Sequence, residues 1–414
     1  MKNMFSNRIL MLSVMLLIVV GYACKSDSGP QDLNIVSLTA GGLDLNGAVS
    51  PSDVPTDADI VVTFNTNINP TSATAANVVL TQDYDDANIP VNVSASGTTL
   101  TISPVDELGG GILYSLELKS GLLNDDNQPL ANTTRTFTTE GTFMPAGAKA
   151  HYPMDGNAND ATGSYNPSAN GVVDITYVAR GDGQAASFNG TTSIIEIPNG
   201  DQLINTSDFT FSFWMKTNST GIERGHFVIG LGAFYGIQYE VFGDYSGAKF
   251  AIRYALDNGE TAAEDMWMPA EATDASNGGW MGWEYARNVS RDDMIAMLKD
   301  NWVHVTLTHD GAAKKSTLYY NGERMKVVNF NLWPEGDIKR GVTGLIWDGQ
   351  APDVVNEMAF GFIQSRAGTM WDNEPWGGYD FPGANHFQGE LDEIKIYHKV
   401  LTETEIRLMY ESEQ

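Results

Sequence analysis

Oxygen-bearing side chains crowd one short turn of the sequence, at Asp155, Asn157, Asn159 and Asp160. Carboxylate and amide oxygens are the hard ligands that Ca²⁺ prefers, and this ion accepts them in flexible geometry. The spacing is not that of an EF-hand, because the invariant glycine and the terminal glutamate of such a loop are missing. The composition also suits a turn whose side chains cap backbone groups. The turn is therefore a candidate calcium site with a purely structural alternative.

Aromatic side chains gather in two polar stretches, 256–300 and 364–386, whose Gly, Pro, Asn and Asp content predicts loops. An exposed flat ring can stack on the C–H face of a pyranose while nearby amides and carboxylates bond to its hydroxyls. Alternatively, the loops bury their rings as a small core of their own. Ser290, with Asp293 at the third position, predicts a short capped helix in the first stretch. The candidate sugar-binding residues are Trp267, Trp280, Trp283, Trp371, Trp376, Tyr379 and Arg366.

Two carboxylates near the end of the chain, Glu390 and Glu393, bear on catalysis. A retaining glycosidase needs two carboxylates close together on one face. These two are three residues apart, and odd spacing on a strand places side chains on opposite faces. The His residues are dispersed and no His-Glu-x-x-His pattern occurs, while His304 shares a strand face with Trp302 and is predicted to be a packed core residue. We therefore predict no enzyme.

The one cysteine, Cys24, follows a basic start and an apolar run over 9–23. Basic start, apolar stretch and small residue are the parts of a secretory signal, and the run is short of the ~20 residues that span a bilayer. The segment resembles a bacterial lipoprotein signal, although Gly21-Tyr22-Ala23-Cys24 departs from the usual motif. The resemblance implies acylation of Cys24. The alternative is an ordinary signal peptide with an incidental cysteine.

The residues after Cys24 bear on localisation. Lys25-Ser26-Asp27 resembles the export signal of surface lipoproteins in Bacteroidota-type bacteria. This resemblance implies a lipid anchor in the outer membrane with the protein exposed at the cell surface. The formal net charge of -28 repels nucleic acid and anionic headgroups, so no nucleic-acid partner is expected.

Short alternating segments separated by Gly, Pro and Asn/Asp clusters run from 33 to 139, as in 59–65, 98–103, 114–119 and 134–139. Their regular spacing favours an antiparallel sandwich. The order of the 55–65, 68–70 and 121–129 segments before a Thr-Phe-Thr-Thr close resembles bacterial Ig-like domains. The resemblance implies a spacer role, with a ligand-binding role as the alternative.

A second set of segments extends from 148 to 411 and ends with Thr402 to Glu405, which form a capping box for a closing helix. Together the segments resemble a laminin-G-like, concanavalin-A-type jelly roll. The resemblance implies two antiparallel sheets and a structural calcium held by Asp155, Asn157, Asp160 and Asp392, because first and last strands pair in such folds. The segments are 150–163, 183–190, 193–198, 209–216, 301–309, 316–323 and 387–397.

The predicted fold is all-β, an N-terminal Ig-like sandwich followed by a larger concanavalin-A-like jelly roll with a short C-terminal helix. We predict a signal peptide (1–23), a flexible tether (24–32), an Ig-like domain (33–140), a linker (141–149) and a laminin-G-like domain (150–414). The expected function is non-catalytic binding of a polysaccharide or oligosaccharide, as part of a capture or uptake system with possible outer-membrane protein partners. A protein-binding or scaffold role is the alternative, and a hydrolase or lyase the third.

Overall fold

A computed structural model describes residues 29–222, 224–270 and 282–414. The signal segment 1–23, Cys24 and Trp280 lie outside the described residues. The chain forms two compact units: one contains the described residues up to Asp106 and Ile112–Glu140, and the other Glu107–Gly111 and Gly141–Gln414. Among the described helices, none is both long enough and apolar enough to cross a membrane.

The first unit is a sandwich of two antiparallel sheets whose orders are β2-β1-β3-β7-β6 and β5-β4-β8-β9. Alternation along the strands supplies the core; in β3, for example, Ile60, Val62 and Phe64 are buried. The four alternating segments predicted as strands are β3, β7, β8 and β9, so the predicted sandwich is confirmed. The strands are β1 (Ile35–Ala40), β2 (Leu43–Asp44), β3 (Ile60–Phe64), β4 (Val78–Gln82), β5 (Asn88–Ile89), β6 (Val91–Ser96), β7 (Thr99–Pro104), β8 (Leu113–Leu118) and β9 (Thr133–Thr138).

The second unit is a jelly roll of two larger antiparallel sheets. Its strands are β10 (Ala148–Tyr152), β11 (Val172–Val173), β12 (Thr176–Arg180), β13 (Gly183–Asn189), β14 (Ile194–Ile197), β15 (Asp208–Thr217), β16 (Gly225–Leu231), β17 (Ile237–Phe242), β18 (Ala248–Leu256), β19 (Thr261–Met268), β20 (Trp283–Ala286), β21 (Trp302–Asp310), β22 (Lys315–Tyr320), β23 (Glu323–Asn329), β24 (Val342–Leu345), β25 (Met358–Phe360) and β26 (Gln388–Tyr397). Its helices are α1 (Asp201–Ile204), α2 (Arg291–Leu298) and α3 (Glu403–Ser412).

Within the described residues, sheet A has the order β12-β13-β26-β15-β21-β22-β23-β20, with β10 on β26, and sheet B has the order β11-β14-β25-β16-β17-β18-β19, with β24 on β18. The core lies between them. Phe209, Phe211 and Phe213 of β15 point into it, and the Phe213 ring lies 5.4 Å from that of Tyr239 on β17. Alternating aromatic and aliphatic residues thus join the two sheets, as predicted.

Helix α3 packs on the outer face of sheet A. It begins with the predicted capping box of Thr402 and Glu405. Near its C-terminal end, Glu413 accepts hydrogen bonds from Trp214 Nε1 and Lys395 Nζ, both at 2.7 Å. Trp214 is therefore buried beneath the helix rather than between the sheets. His304 is buried beside Trp214, with ring centroids 5.1 Å apart, as its predicted packed position requires.

Two segments that the sequence predicts to be connections have regular structure or backbone pairing of their own. Residues 141–149, predicted as a linker, belong to the second unit: Met144 exchanges backbone hydrogen bonds with Gly110, and β10 begins at Ala148. The stretch 256–300, predicted as a loop, contains β19, β20 and α2. The sequence of strand β19 does not predict a strand, because Glu264 and Asp265 interrupt the alternation of apolar residues. The short helix capped by Ser290 is confirmed.

Candidate functional site

Strands β17, β18 and β19 present one face to the core of the second unit and the other face outward. Ile237, Tyr239 and Val241 of β17 are core residues, so Gln238 and Glu240 between them point outward. Strand pairing extends these positions into rows across the sheet. One row is Glu240, Lys249 and Trp267, and the next is Gln238, Ala251 and Asp265.

Small side chains hollow this outward face into a trough. Ala251 and Ala263 lie among longer polar neighbours, so the surface dips between the rows. The resulting cavity has a volume of about 390 Å³ and opens to solvent. We call it the sheet trough; its lining residues are Phe234, Gln238, Lys249, Ala251, Ala263, Glu264 and Asp265.

Aromatic rings stand beside the trough at two places. Trp267 is 37% exposed and packs against Phe242, with ring centroids 5.1 Å apart. Phe234 is also 37% exposed and stacks on Tyr235 at 4.8 Å. Each exposed ring is thus supported by a second ring, which fixes its orientation.

The charges on this face are arranged in pairs. Lys249 Nζ lies 3.0 Å from Asp265 Oδ2 and 3.9 Å from Glu240 Oε1, and the guanidinium of Arg253 lies 3.0 Å from Asp348 Oδ1. Burial raises the pKa of Glu240; the positive charge of Lys249 opposes the rise, and the negative charge of Asp265 adds to it. Lys249 and Arg253 are therefore both matched by carboxylates.

The polar stretch 364–386 forms a small core of its own on sheet B. Trp371, Trp376 and Tyr379 are partly buried against a cluster that includes Phe227 of β16 and Phe362. The Trp371 and Trp376 rings pack on each other at 5.0 Å. These two tryptophans, predicted as sugar-stacking residues, are half-buried in this cluster, and their contact with a sugar stays a prediction.

A second cavity lies in this loop. It has a volume of about 550 Å³. We call it the loop groove; its lining residues are Arg366, Asp372, Gly378, Tyr379, Asp380 and Phe381. The predicted residues Arg366 and Tyr379 thus meet here. The most exposed ring is Phe381, at 41%, which was not predicted.

The guanidinium of Arg366 is bonded to neighbouring groups of the protein and positions the loop. Its Nε donates to Glu196 Oε1 at 3.1 Å, its Nη2 donates to Glu196 Oε2 at 2.5 Å, and the same Nη2 donates to the carbonyl of Asn170 at 2.7 Å. The carboxylate of Glu196 raises the pKa of Arg366 further. The arginine therefore fixes the loop to β14.

The other predicted sugar-binding residues lie apart. Trp267 lies beside the sheet trough, opposite Lys249 on the neighbouring strand, and belongs to a strand and not to a loop. Trp283 is half-buried on β20 of sheet A, opposite Val328. The residues that prediction missed are Phe234, Tyr235, Phe242 and Phe381. The exposure of Phe234 and Tyr235 could have been predicted from the sequence, because an aromatic pair between Gly232 and Gly236 is typical of a tight, exposed turn.

The predicted calcium ligands have hydrogen-bond or ion-pair partners within the protein. The Asp160 carboxylate accepts hydrogen bonds from four backbone amides and the Thr162 hydroxyl, which take up its lone pairs. Asp155 Oδ1 accepts from the Gln184 amide at 2.7 Å, Asn157 caps the Asn159 amide at 2.9 Å, and Asp392 Oδ2 lies 2.7 Å from Arg180 Nη1. Throughout the described ranges, no group of three or more His, Cys, Asp or Glu could hold a metal. Hydrogen bonds or an ion pair thus engage at least one oxygen of each of these four side chains, and calcium binding stays a prediction.

The carboxylates of β26 have structural partners. Glu393 pairs with Lys395 and with His151, whose Nε2 lies 2.9 Å away. Glu390 lies 3.5 Å from Lys216 Nζ. The proximity of Lys395 and His151 holds the pKa of Glu393 far below its usual range, although burial opposes this. Neither residue lines the sheet trough or the loop groove.

Comparison with known proteins gives the fold families. Residues 45–139 match the family model of a bacterial Ig-like domain, and residues 189–350 match a laminin-G model of the concanavalin A-like lectin/glucanases superfamily. No curated protein matches the chain.

Several solved structures resemble part of the chain. Domain 4 of AbnA, an extracellular arabinanase from Geobacillus stearothermophilus solved with arabinotriose, is 18% identical, with a TM-score of 0.37 over 64% of this chain and 98% of that one. The binding domain of botulinum neurotoxin serotype D, solved with N-acetylneuraminic acid, is 13% identical, with a TM-score of 0.39 over 64% of this chain and 50% of that one. The chain carries a bacterial Ig-like domain followed by a laminin-G-like domain of the concanavalin A-like lectin/glucanases superfamily.

Proposed function

We propose that the second unit binds carbohydrate without catalysis, and that the sheet trough is the binding site. The observation that carries the proposal is the pair of exposed rings, Phe234 and Trp267, beside a polar trough floored by alanine. An exposed ring offers an apolar face to the C–H groups of a sugar. Between the rings, Gln238 and the carboxylates of Glu240 and Asp265 offer hydrogen-bonding groups to hydroxyls.

The polarity of the trough favours a sugar over an apolar protein surface. Protein interfaces are centred on a patch depleted in charge, whereas this trough contains Lys249 and Asp265. Because those groups are already paired, a neutral ligand leaves no buried charge unmatched. Binding to a protein partner is the result to expect if no glycan is retained.

We also propose that Cys24 is acylated and that the first unit is a spacer that carries the binding unit away from the outer membrane. The protein would then hold polysaccharide at the cell surface, where outer-membrane proteins could take it up. Cys24→Ser should abolish labelling with radioactive palmitate and release the protein from membranes. External protease should digest the wild-type protein on intact cells; protection from protease would place it on the inner side.

The binding proposal is tested by affinity electrophoresis of residues 25–414 against a panel of polysaccharides, with calcium in one set and chelator in the other. Retardation by a glycan, lost in Trp267→Ala and in Phe234→Ala, is expected. Tyr285→Ala is the matched control, because this ring is also 37% exposed but lies on β20 of sheet A. Retention by no glycan, or equal retention in all three variants, would contradict the proposal.

A further inference from the structure

The loop groove and the sheet trough lie on the same side of sheet B. The loop 364–386 packs on Ile194 of β14, Ala359 of β25 and Phe227 of β16. Their neighbours Ile195, Phe360 and Val228 belong to the core between the sheets. Since side chains alternate between faces, the loop covers the outward face, which is also the face of the trough.

The two cavities are also neighbours along the sheet. The loop covers β14, β25 and β16, and the trough lies on β17, β18 and β19, with β16 paired to β17. Four strand spacings separate β14, to which Arg366 of the groove is bonded, from β18, which is ~19 Å at the usual spacing of strands. A glycan chain that crosses the strands can therefore reach both.

The groove presents the same kinds of group as the trough. The Phe381 ring is 41% exposed, and the side chains of Asp372 and Asp380 line the same cavity. The only cation in the lining, Arg366, is engaged by Glu196. The groove thus combines an exposed ring with carboxylates that can accept hydrogen bonds from hydroxyls, and its one lining cation is already paired. This combination suits an uncharged sugar.

The groove is held rigidly. Arg366 fixes one side to Glu196 and Asn170, and the Tyr379 hydroxyl donates to the carbonyl of Thr192. The packed Trp371 and Trp376 rings support the loop from below. Because little side-chain freedom is left to lose, the groove can add affinity for a ligand that is already bound nearby.

We infer that the loop groove is a second subsite, and that the ligand is a neutral glycan chain running across sheet B from the trough into the groove. This inference rests on the proposed function. The trough alone holds a short oligosaccharide, and further sugar units of the same chain bind at Phe381. Affinity must therefore increase with chain length.

The test compares trioses and hexaoses of one linkage by isothermal titration calorimetry. The probes are cellotriose and cellohexaose, laminaritriose and laminarihexaose, xylotriose and xylohexaose, and mannotriose and mannohexaose. For the pair that binds, we expect the hexaose to bind wild-type protein about tenfold more tightly than the triose. Phe381→Ala should remove most of that ratio and leave triose affinity unchanged. Trp267→Ala should weaken both.

Two further variants separate the outcomes. Asp380→Asn changes a lining charge without removing a ring and should also reduce the hexaose advantage, whereas Tyr285→Ala should not. Equal affinity for triose and hexaose in the wild type, or an unchanged ratio in Phe381→Ala, would overturn the inference while leaving the trough proposal intact. Failure of every probe to bind would overturn both.

Discussion

At the scale of single residues, the carboxylate of Asp160, which the sequence predicts as a calcium ligand, accepts hydrogen bonds from backbone amides. It accepts hydrogen bonds from the amides of His151, Ser164 and Tyr165 at 2.9 to 3.0 Å, besides those from Thr162. Asp160→Ala should lower the free energy of unfolding by about 3 kcal/mol, since hydrogen bonds to a charged group contribute most. Urea unfolding measures this change.

The same experiment separates capping from calcium binding. Chelation should leave the urea midpoint of the wild-type protein unchanged, because the donors on Asp160 belong to the protein. A midpoint that falls on chelation, to the level of Asp160→Ala, would instead establish that a calcium ion binds there.

His304 makes the stability of the second unit sensitive to acid. Burial lowers its pKa to about 3, and the positive charges of Lys395 and Arg180 add to the effect. In the unfolded chain His304 binds a proton near pH 6.5, whereas in the folded chain it stays neutral down to about pH 3. Its contribution to the free energy of unfolding is therefore fully present above pH 6.5 and is lost as the pH falls towards 3. Between pH 7 and pH 5 this residue alone should remove about 2 kcal/mol.

The measurement is urea unfolding at both pH values in the wild type and in His304→Gln. Glutamine can still bond to the Ser212 hydroxyl, which lies 2.7 Å from His304 Nε2, but it does not titrate. The variant should lose less stability than the wild type on acidification. An identical loss in both proteins would show that His304 does not set the pH dependence.

At the scale of elements, the loop on sheet B depends on a glycine in the strand beneath it. A Cβ on Gly230 of β16 would lie 2.0 Å from the carbonyl oxygen of Ile363. Gly230→Ala should therefore displace the loop, lower the free energy of unfolding by about 1–3 kcal/mol and change the near-ultraviolet circular dichroism of Trp371 and Trp376. Gly47→Ala is the control, because its methyl would meet no atom closer than 3.7 Å. Equal effects would contradict this account.

The elements also show which parts of the site can be predicted from sequence. Strands with clean alternation, such as β15, were predicted, and so was the capping box of α3. The trough could not be predicted from the sequence. It forms because Ala251 and Ala263 lie next to longer side chains on neighbouring strands, and these neighbours are known only once the strand register is known. Trp267 was recognised as a candidate ring but placed in a loop, and the burial of Trp371 and Trp376 depends on long-range packing that local composition does not report.

At the scale of the whole molecule, charge restricts the ligand. The net charge is -28, and the cations of the trough are already paired. Polygalacturonate should therefore not bind even at low salt. Affinity for a neutral glycan should change less than about twofold between about 50 mM and 300 mM NaCl, because no net charge is attracted. Calorimetry over this range tests both statements; tight, salt-sensitive binding of the polyuronate would contradict them.

Strand β26 lies in the interior of sheet A, between β13 and β15, and also pairs with β10. It contains residues 388–397 of a chain of 414. During synthesis, the earlier strands β10, β13 and β15 therefore lack this partner until residue 397 has left the ribosome, and the core between the sheets cannot close around a shorter nascent chain. A chain that stops before β26 should be degraded by proteases, although it contains every lining residue of the trough and the groove.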